Sequence, residues 1–118
     1  MATGGRILIY DGATRVLQST IPLNTDEVRE MAIADVDSDG TLEAVLVGDD
    51  GLFIHELPGG ALEYQSAVYP GYTVAVGNVD TDPGREIVIG NGTATGYVLN
   101  GSTRAIEWAP VTGFGNIV

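Results

Sequence analysis

Short apolar runs recur along this chain with alternating polar positions, and acidic or glycine-rich turns interrupt them every few residues. Residues 28–34 form one such run, and an acidic loop separates it from residues 43–48. A tight Asp49-Asp50-Gly51 turn leads into residues 52–56, and Pro58-Gly59-Gly60 leads into residues 61–66. Alternation of period two puts neighbouring side chains on opposite faces of a strand, and these turn residues favour chain reversal. The pattern therefore predicts four antiparallel strands. A second set of four follows at 72–77, 86–90, 95–99 and 104–108. Residues 6–10 and 15–19 supply two strands ahead of them, and residues 114–118 supply the opening of another. Helical periodicity is almost absent.

The runs are copies of one another. Ala32-Ile33-Ala34-Asp35-Val36-Asp37-Ser38-Asp39 returns 43 residues later as Ala75-Val76-Gly77-Asn78-Val79-Asp80-Thr81-Asp82, with Glu43 answering Glu86 and Val45 answering Val88. A second element repeats three times. Tyr10-Asp11-Gly12-Ala13-Thr14-Arg15-Val16-Leu17-Gln18 returns as Leu99-Asn100-Gly101-Ser102-Thr103-Arg104-Ala105-Ile106-Glu107, and residues 56–63 are a looser copy between them. A period in the forties with four strands per unit predicts an all-β fold of β-propeller blades, each of four antiparallel strands. On this reading residues 1–118 are a single propeller segment. Its units are 1–27 (partial, outer strands), 28–71 (a blade), 72–112 (a blade) and 113–118 (partial, first strand). The first strand of each blade lines the axis, so Ala32, Ile33, Ala75 and Val76 are expected to be largely buried.

Charge narrows the possible partners. The chain has 118 residues, with sixteen acids against five bases and a formal net charge of −11. None of the bases is lysine. Phosphate backbones are bound chiefly through Lys and Arg, so nucleic acid is not an expected partner, and an anionic membrane surface fails for the same reason. No apolar run is long enough to insert in a membrane, and no charged-then-apolar leader opens the chain. The absence of cysteine excludes disulfides, zinc-thiolate sites and thiol catalysis.

Seven of the sixteen acids fall in two short segments, residues 35–43 and 80–86. Like charges packed this closely repel unless a cation sits among them. Asp35-x-Asp37-x-Asp39-Gly40-x-x-Glu43 places carboxylates at alternate positions of a tight loop and a fourth at position nine. A hard cation such as Ca²⁺ takes about six to eight oxygens at roughly 2.3–2.6 Å. The carbonyl of Thr41 can add one oxygen, and Gly40 permits the sharp turn. The second loop offers Asn78, Asp80, Asp82 and Glu86, with Gly84 in the carbonyl position. An EF-hand is excluded, because its twelfth position needs a bidentate Glu and is Leu46 in the first loop and Ile89 in the second.

The stretch Ala34-Asp35-Val36-Asp37-Ser38-Asp39-Gly40-Thr41-Leu42-Glu43-Ala44-Val45-Leu46-Val47-Gly48 resembles the FG-GAP/VCBS repeat of integrin-α-like β-propellers. In that family a nine-residue D-x-D-x-D-G-x-x-D/E loop joins the first two strands of a blade and binds Ca²⁺. Tyr10-Asp11-Gly12-Ala13-Thr14 and Leu99-Asn100-Gly101-Ser102-Thr103 resemble the hairpin turn between the outer strands of such blades. The resemblance implies one Ca²⁺ set of Asp35, Asp37, Asp39, Thr41 and Glu43, and another of Asn78, Asp80, Asp82, Gly84 and Glu86. The second loop departs from the pattern, with Asn78 in place of Asp and Pro83 in place of Gly, which lowers its ligand charge and alters its turn.

Other chemistry has little to stand on. His55 is the only histidine, so a Ser-His-acid triad has one possible member, and it reads as a surface or interblade residue. Trp108 aligns with Tyr64 and reads as blade packing, while Arg15 and Arg104 hold equivalent turn positions and read as structural. The expected function is a calcium-binding, non-enzymatic scaffold for adhesion or protein interaction, placed outside the cell or on its surface by the ion and the resemblance. The alternatives are a carbohydrate-binding propeller with a glycan ligand, or a fragment of a polysaccharide lyase whose catalytic residues lie elsewhere. Open blades expose apolar faces, so the chain is expected either to belong to a longer propeller or to self-associate head to tail. In the second case residues 113–118 pair with the hairpin 6–19 of the next copy, and a dimer is the favoured closed form.

Overall fold

The apolar runs become ten strands in a computed structural model that describes residues 5–23, 25, 27–91 and 96–108. They are β1 (Arg6–Tyr10), β2 (Leu17–Pro22), β3 (Val28–Ala34), β4 (Leu42–Gly48), β5 (Gly51–Leu57), β6 (Leu62–Ser66), β7 (Thr73–Gly77), β8 (Glu86–Gly90), β9 (Gly96–Asn100) and β10 (Ile106–Trp108). Among the described residues there is no helix, and so none long and apolar enough to cross a membrane. The strands form three antiparallel sheets: β1-β2, the meander β3-β4-β5-β6, and the meander β7-β8-β9-β10. The expected strand at 114–118 lies outside the described residues.

The middle sheet owes its near-continuous apolar sequence to burial on both faces. On β4 and β5, Val45, Val47, Leu52 and Ile54 point toward the third sheet, where they meet Val74, Ile87, Ile89 and Leu99. The intervening Ala44, Leu46 and Phe53 point the other way and pack on Ile7, Ile21 and Leu23 of the hairpin side. Period-two alternation thus selects between two cores rather than between core and water. Each large apolar side chain so buried contributes about 1.5–3 kcal/mol. The first strands of the two meanders, β3 and β7, lie against each other, with the Val74 N–H donating to the Glu30 carboxylate at 2.6 Å.

Burial of the inner strands differs from the sequence expectation. Ala32, Ala75 and Val76 are half-buried, and Ile33 is 48% exposed. The reason is that β3 is the edge of its sheet. Its Ala32–Ala34 face packs on the core, while Met31 and Ile33 line an open groove beside β1. Of the two expectations for His55 the surface one is overturned: it is buried, and its Nδ1–H donates to the Gly60 carbonyl at 3.0 Å, holding the turn before β6. Trp108 stands on edge strand β10 with 54% of its surface exposed, not packed within a sheet pair.

The thrice-repeated element is one turn built three times. Asp11 Oδ1 accepts from the N–H groups of Ala13 and Thr14 at 2.8 and 2.7 Å, and Asn100 Oδ1 accepts from Ser102 and Thr103 at 2.9 Å each. The same bonds hold the Asp11 carboxyl below the ordinary carboxylate range, Thr14 contributing most. The backbone N–H of Arg15, Gly60 and Arg104 closes each turn onto the carbonyl of Asp11, Glu56 and Asn100. All three closing residues have positive φ, 63°, 89° and 63°. Glycine takes that conformation freely and arginine only under compulsion, so the turn geometry is imposed by the surrounding hydrogen bonds.

Gly101 sits where the third turn meets the middle sheet, and a Cβ there would lie 2.1 Å from the Val36 carbonyl oxygen and 2.7 Å from that of Arg85. Backbone on both sides cannot yield cheaply. Gly101→Ala is expected to destabilise the fold by about 1–3 kcal/mol in a urea melt. Gly59→Ala, in open space, is expected to change stability by less than about 0.5 kcal/mol. Equal effects would disprove this account of the sheet contact.

Candidate metal centre

Both acidic loops join the first two strands of a meander, and register fixes how they close. Ala34 pairs with Glu43 across β3-β4, and Gly77 pairs with Glu86 across β7-β8. Each Glu therefore stands in the first two residues of the second strand, where its loop ends. Both are fully buried. Glu43 Oε2 accepts from the Val36 N–H at 2.8 Å, and Glu86 Oε2 accepts from the Val79 N–H at 2.7 Å, so each loop is clamped by the same bond.

Around Glu43 the first loop curls on its own carboxylates. Asp35 accepts from the N–H groups of Asp39 and Gly40 at 3.1 and 3.0 Å, and Asp37 accepts from Asp39 N–H at 3.2 Å. Ser38 and Gly40 take positive φ of 65° and 98° to make the curl. Thr41 donates its hydroxyl to Asp39 and, at 3.3 Å, to Glu43 Oε1. That hydroxyl and the Thr41 N–H hold the Asp39 carboxyl below its ordinary value. The Glu43 carboxyl is pushed up instead, first by burial and then by the nearby charges of Asp37 and Glu63.

The result brings Asp35, Asp37, Asp39 and Glu43 together, with one oxygen of each inside a 4.8 Å span. The second loop likewise gathers Asp80, Asp82 and Glu86. Asp80 accepts from Asp82 N–H at 2.8 Å, and Asp82 accepts from Gly84 N–H at 2.7 Å. The Asn78 amide nitrogen donates to the Asp82 carbonyl at 2.8 Å, bracing the loop. Where the first loop has Thr41, the second has Gly84 and no hydroxyl. Glu86 Oε1 is consequently buried with no hydrogen-bond partner.

Two groups of acids were missed by loop reading. Glu107, on β10, joins Asp80, Asp82 and Glu86 within the same span, and Glu56 and Glu63 form a further group with Asp39. Glu63 and Glu107 occupy the same place after the repeated turn, so the repeat alignment itself carried the signal. Glu63 differs in being tied to Arg104 at 3.4 Å. Burial and Asp37 raise its carboxyl, and Arg104 opposes them.

Four converging carboxylates make each loop a group of hard oxygen donors that could hold a metal ion. Comparison with protein-family models, curated proteins and solved structures finds no match to this chain.

The raised Glu43 carboxyl sets a pH dependence. In metal-free protein the folded state takes up this proton before the unfolded chain does as pH falls. Stability from this group therefore increases from neutral pH toward the ordinary glutamate value of 4.5 and is lost as pH rises through the folded value. In chelator, Glu43→Gln is expected to melt higher than the native sequence at about pH 7 and to flatten the gain in melting temperature on going to about pH 5. An identical pH slope in both proteins would contradict the assignment.

Proposed function

We propose that this chain is a calcium-binding β-propeller repeat segment that serves as a non-enzymatic scaffold for adhesion or protein interaction. The observation that carries the reading is the buried Glu86 Oε1, which has no proton donor among the described residues and lies in a cluster of four carboxylates. An unpartnered buried carboxylate oxygen carries a large desolvation penalty, which a cation removes. A divalent cation supplies two positive charges and bonds to several oxygens at once, and Ca²⁺ accepts the irregular oxygen geometry of such loops.

Asp35, Asp37, Asp39 and Glu43, with the Thr41 carbonyl, hold the first ion. Asp80, Asp82 and Glu86, with Asn78 and the Gly84 carbonyl, hold the second. Two ions offset four of the eleven net negative charges. The blade reading is supported by two four-stranded meanders packed face to face, a hairpin that repeats their outer strands, and one turn geometry at three repeat positions. Extracellular calcium modules typically have affinities of roughly 10⁻⁴–10⁻³ M, and the proposed location of this scaffold is accordingly outside the cell.

Linkage sets the expected size of the effect. At 10–100 times the dissociation constant each ion adds about 1.4–2.7 kcal/mol, or roughly 5–10 °C in melting temperature. Calcium should therefore raise the melting temperature and EDTA lower it, and Asp37→Ala should remove more of the rise than Asn78→Ala. A melting curve indifferent to both reagents would refute the calcium reading.

A further inference from the structure

Among the described residues, the repeated turn docks on the preceding sheet in both places where a sheet precedes it. The turn before β6 rests on β2, where the Ser19 hydroxyl donates to the Pro58 carbonyl at 3.1 Å and Gly60 abuts Ile21. The turn before β10 rests on the first acidic loop and β6. There Gly101 lies against the Val36 carbonyl, and the Ser102 hydroxyl donates to the Asp37 carbonyl at 3.2 Å. Arg104 reaches Glu63 at 3.4 Å with its guanidinium 5.6 Å from the Tyr64 ring centroid. Under this cover Val36 is fully buried.

The outer two members of the series are both open. At the third sheet, Val79 holds the place of Val36 and is 58% exposed, while Glu107 and Trp108 hold the places of Glu63 and Tyr64 and are also exposed. At the first hairpin, the turn carrying Gly12 and Arg15 is exposed, and nothing stands within 4 Å of a Cβ built on Gly12. Arg15 has the φ of Arg104, 63°. One surface therefore offers a carboxylate, an aromatic ring and an uncovered loop. The other offers the glycine and the arginine that cover those groups elsewhere in this molecule. The Ser102 contact is the one element lacking, since Ala13 stands there.

We propose that the first hairpin of one copy docks on the third sheet of a second copy, with Arg15 paired to Glu107 of that copy and Gly12 against its Val79. The contact is heterologous, each copy giving a turn and receiving one, and it reproduces the seam between the second and third sheets. The inference rests on the repeat reading of the fold, and it shares Glu107 with the second acidic cluster, whereas Arg15 and Gly12 belong to neither cluster.

Sedimentation velocity tests it with two single variants and their mixture. Arg15→Glu and Glu107→Arg each place like charges across the seam, so each alone is expected to weaken self-association at least about tenfold. An equimolar mixture of the two restores an attractive pair at every seam and is expected to associate like the native chain. Gly12→Val is expected to abolish association while keeping the native circular dichroism spectrum. A native chain that stays monomeric at high micromolar concentration overturns the proposal, and so does association that charge reversal leaves unchanged. Calcium-dependent melting, followed on the native chain, Arg15→Glu and Gly12→Val, whose changed residues lie in neither acidic cluster, separates failure of this seam from failure of the calcium reading.

Discussion

The clamp between a buried glutamate and the backbone N–H seven residues before it organises both acidic loops. Because Glu43 and Glu86 lie at the start of a strand, sheet register fixes their backbones before the loop is considered. Their carboxylates then hold Val36 and Val79 from beneath, at 2.8 and 2.7 Å. With that point fixed, the intervening residues must turn back within a few positions. The aspartates at alternate positions turn inward to satisfy the N–H groups that the curl leaves unpaired. The acid convergence is thus a consequence of two buried charges placed by the sheet.

The same clamp links loop chemistry to packing between sheets. Held by Glu43, Val36 enters the core shared by the second and third sheets, and its carbonyl faces Gly101 of the third turn. Loop, core and turn therefore form one contact, and a change in any of them is felt by the others. Arg104 adds the only guanidinium placed against this group of acids among the described ion pairs, through Glu63.

Most of the fold was legible because each residue pattern had one physical reading. Strands β1, β3 and β8 fall where alternation and turn residues put them, and the other described strands shift by only a few residues at their ends. The repeat put Arg15 and Arg104 at equivalent turn positions, and the structure gives both the same positive φ of 63°. Burial was less legible. Alternation shows which face a side chain is on but not whether a neighbouring sheet covers that face, so Ile33 and Trp108 were placed inside and stand half outside. For His55 a surface and an interblade place were both open, and burial removes the first, because its partner is a backbone carbonyl that no residue pattern marks. Glu107 escaped for a related reason: it lies outside the loop motif in sequence and is brought to it by the pairing of β9 with β10.

The two loops are alike in outline and unequal in chemistry, and the inequality runs against their sequences. Judged by pattern, the second loop is the poorer, having exchanged an aspartate for Asn78 and a glycine for Pro83. In the structure the first loop satisfies itself, since Thr41 bonds both Asp39 and Glu43 and leaves neither oxygen of Glu43 alone. The second lacks that hydroxyl, leaves Glu86 Oε1 without a donor, and gathers Glu107 as a fourth carboxylate. An unmet buried oxygen stands there and not in the first loop, so a cation would relieve more desolvation at the second loop than its motif suggests. The number of carboxylates within the loop motif favours the first loop, and the unmet buried oxygen favours the second. Because the two terms have opposite order in the two loops, the loop carrying Asn78 and Pro83 keeps an electrostatic reason to hold a cation.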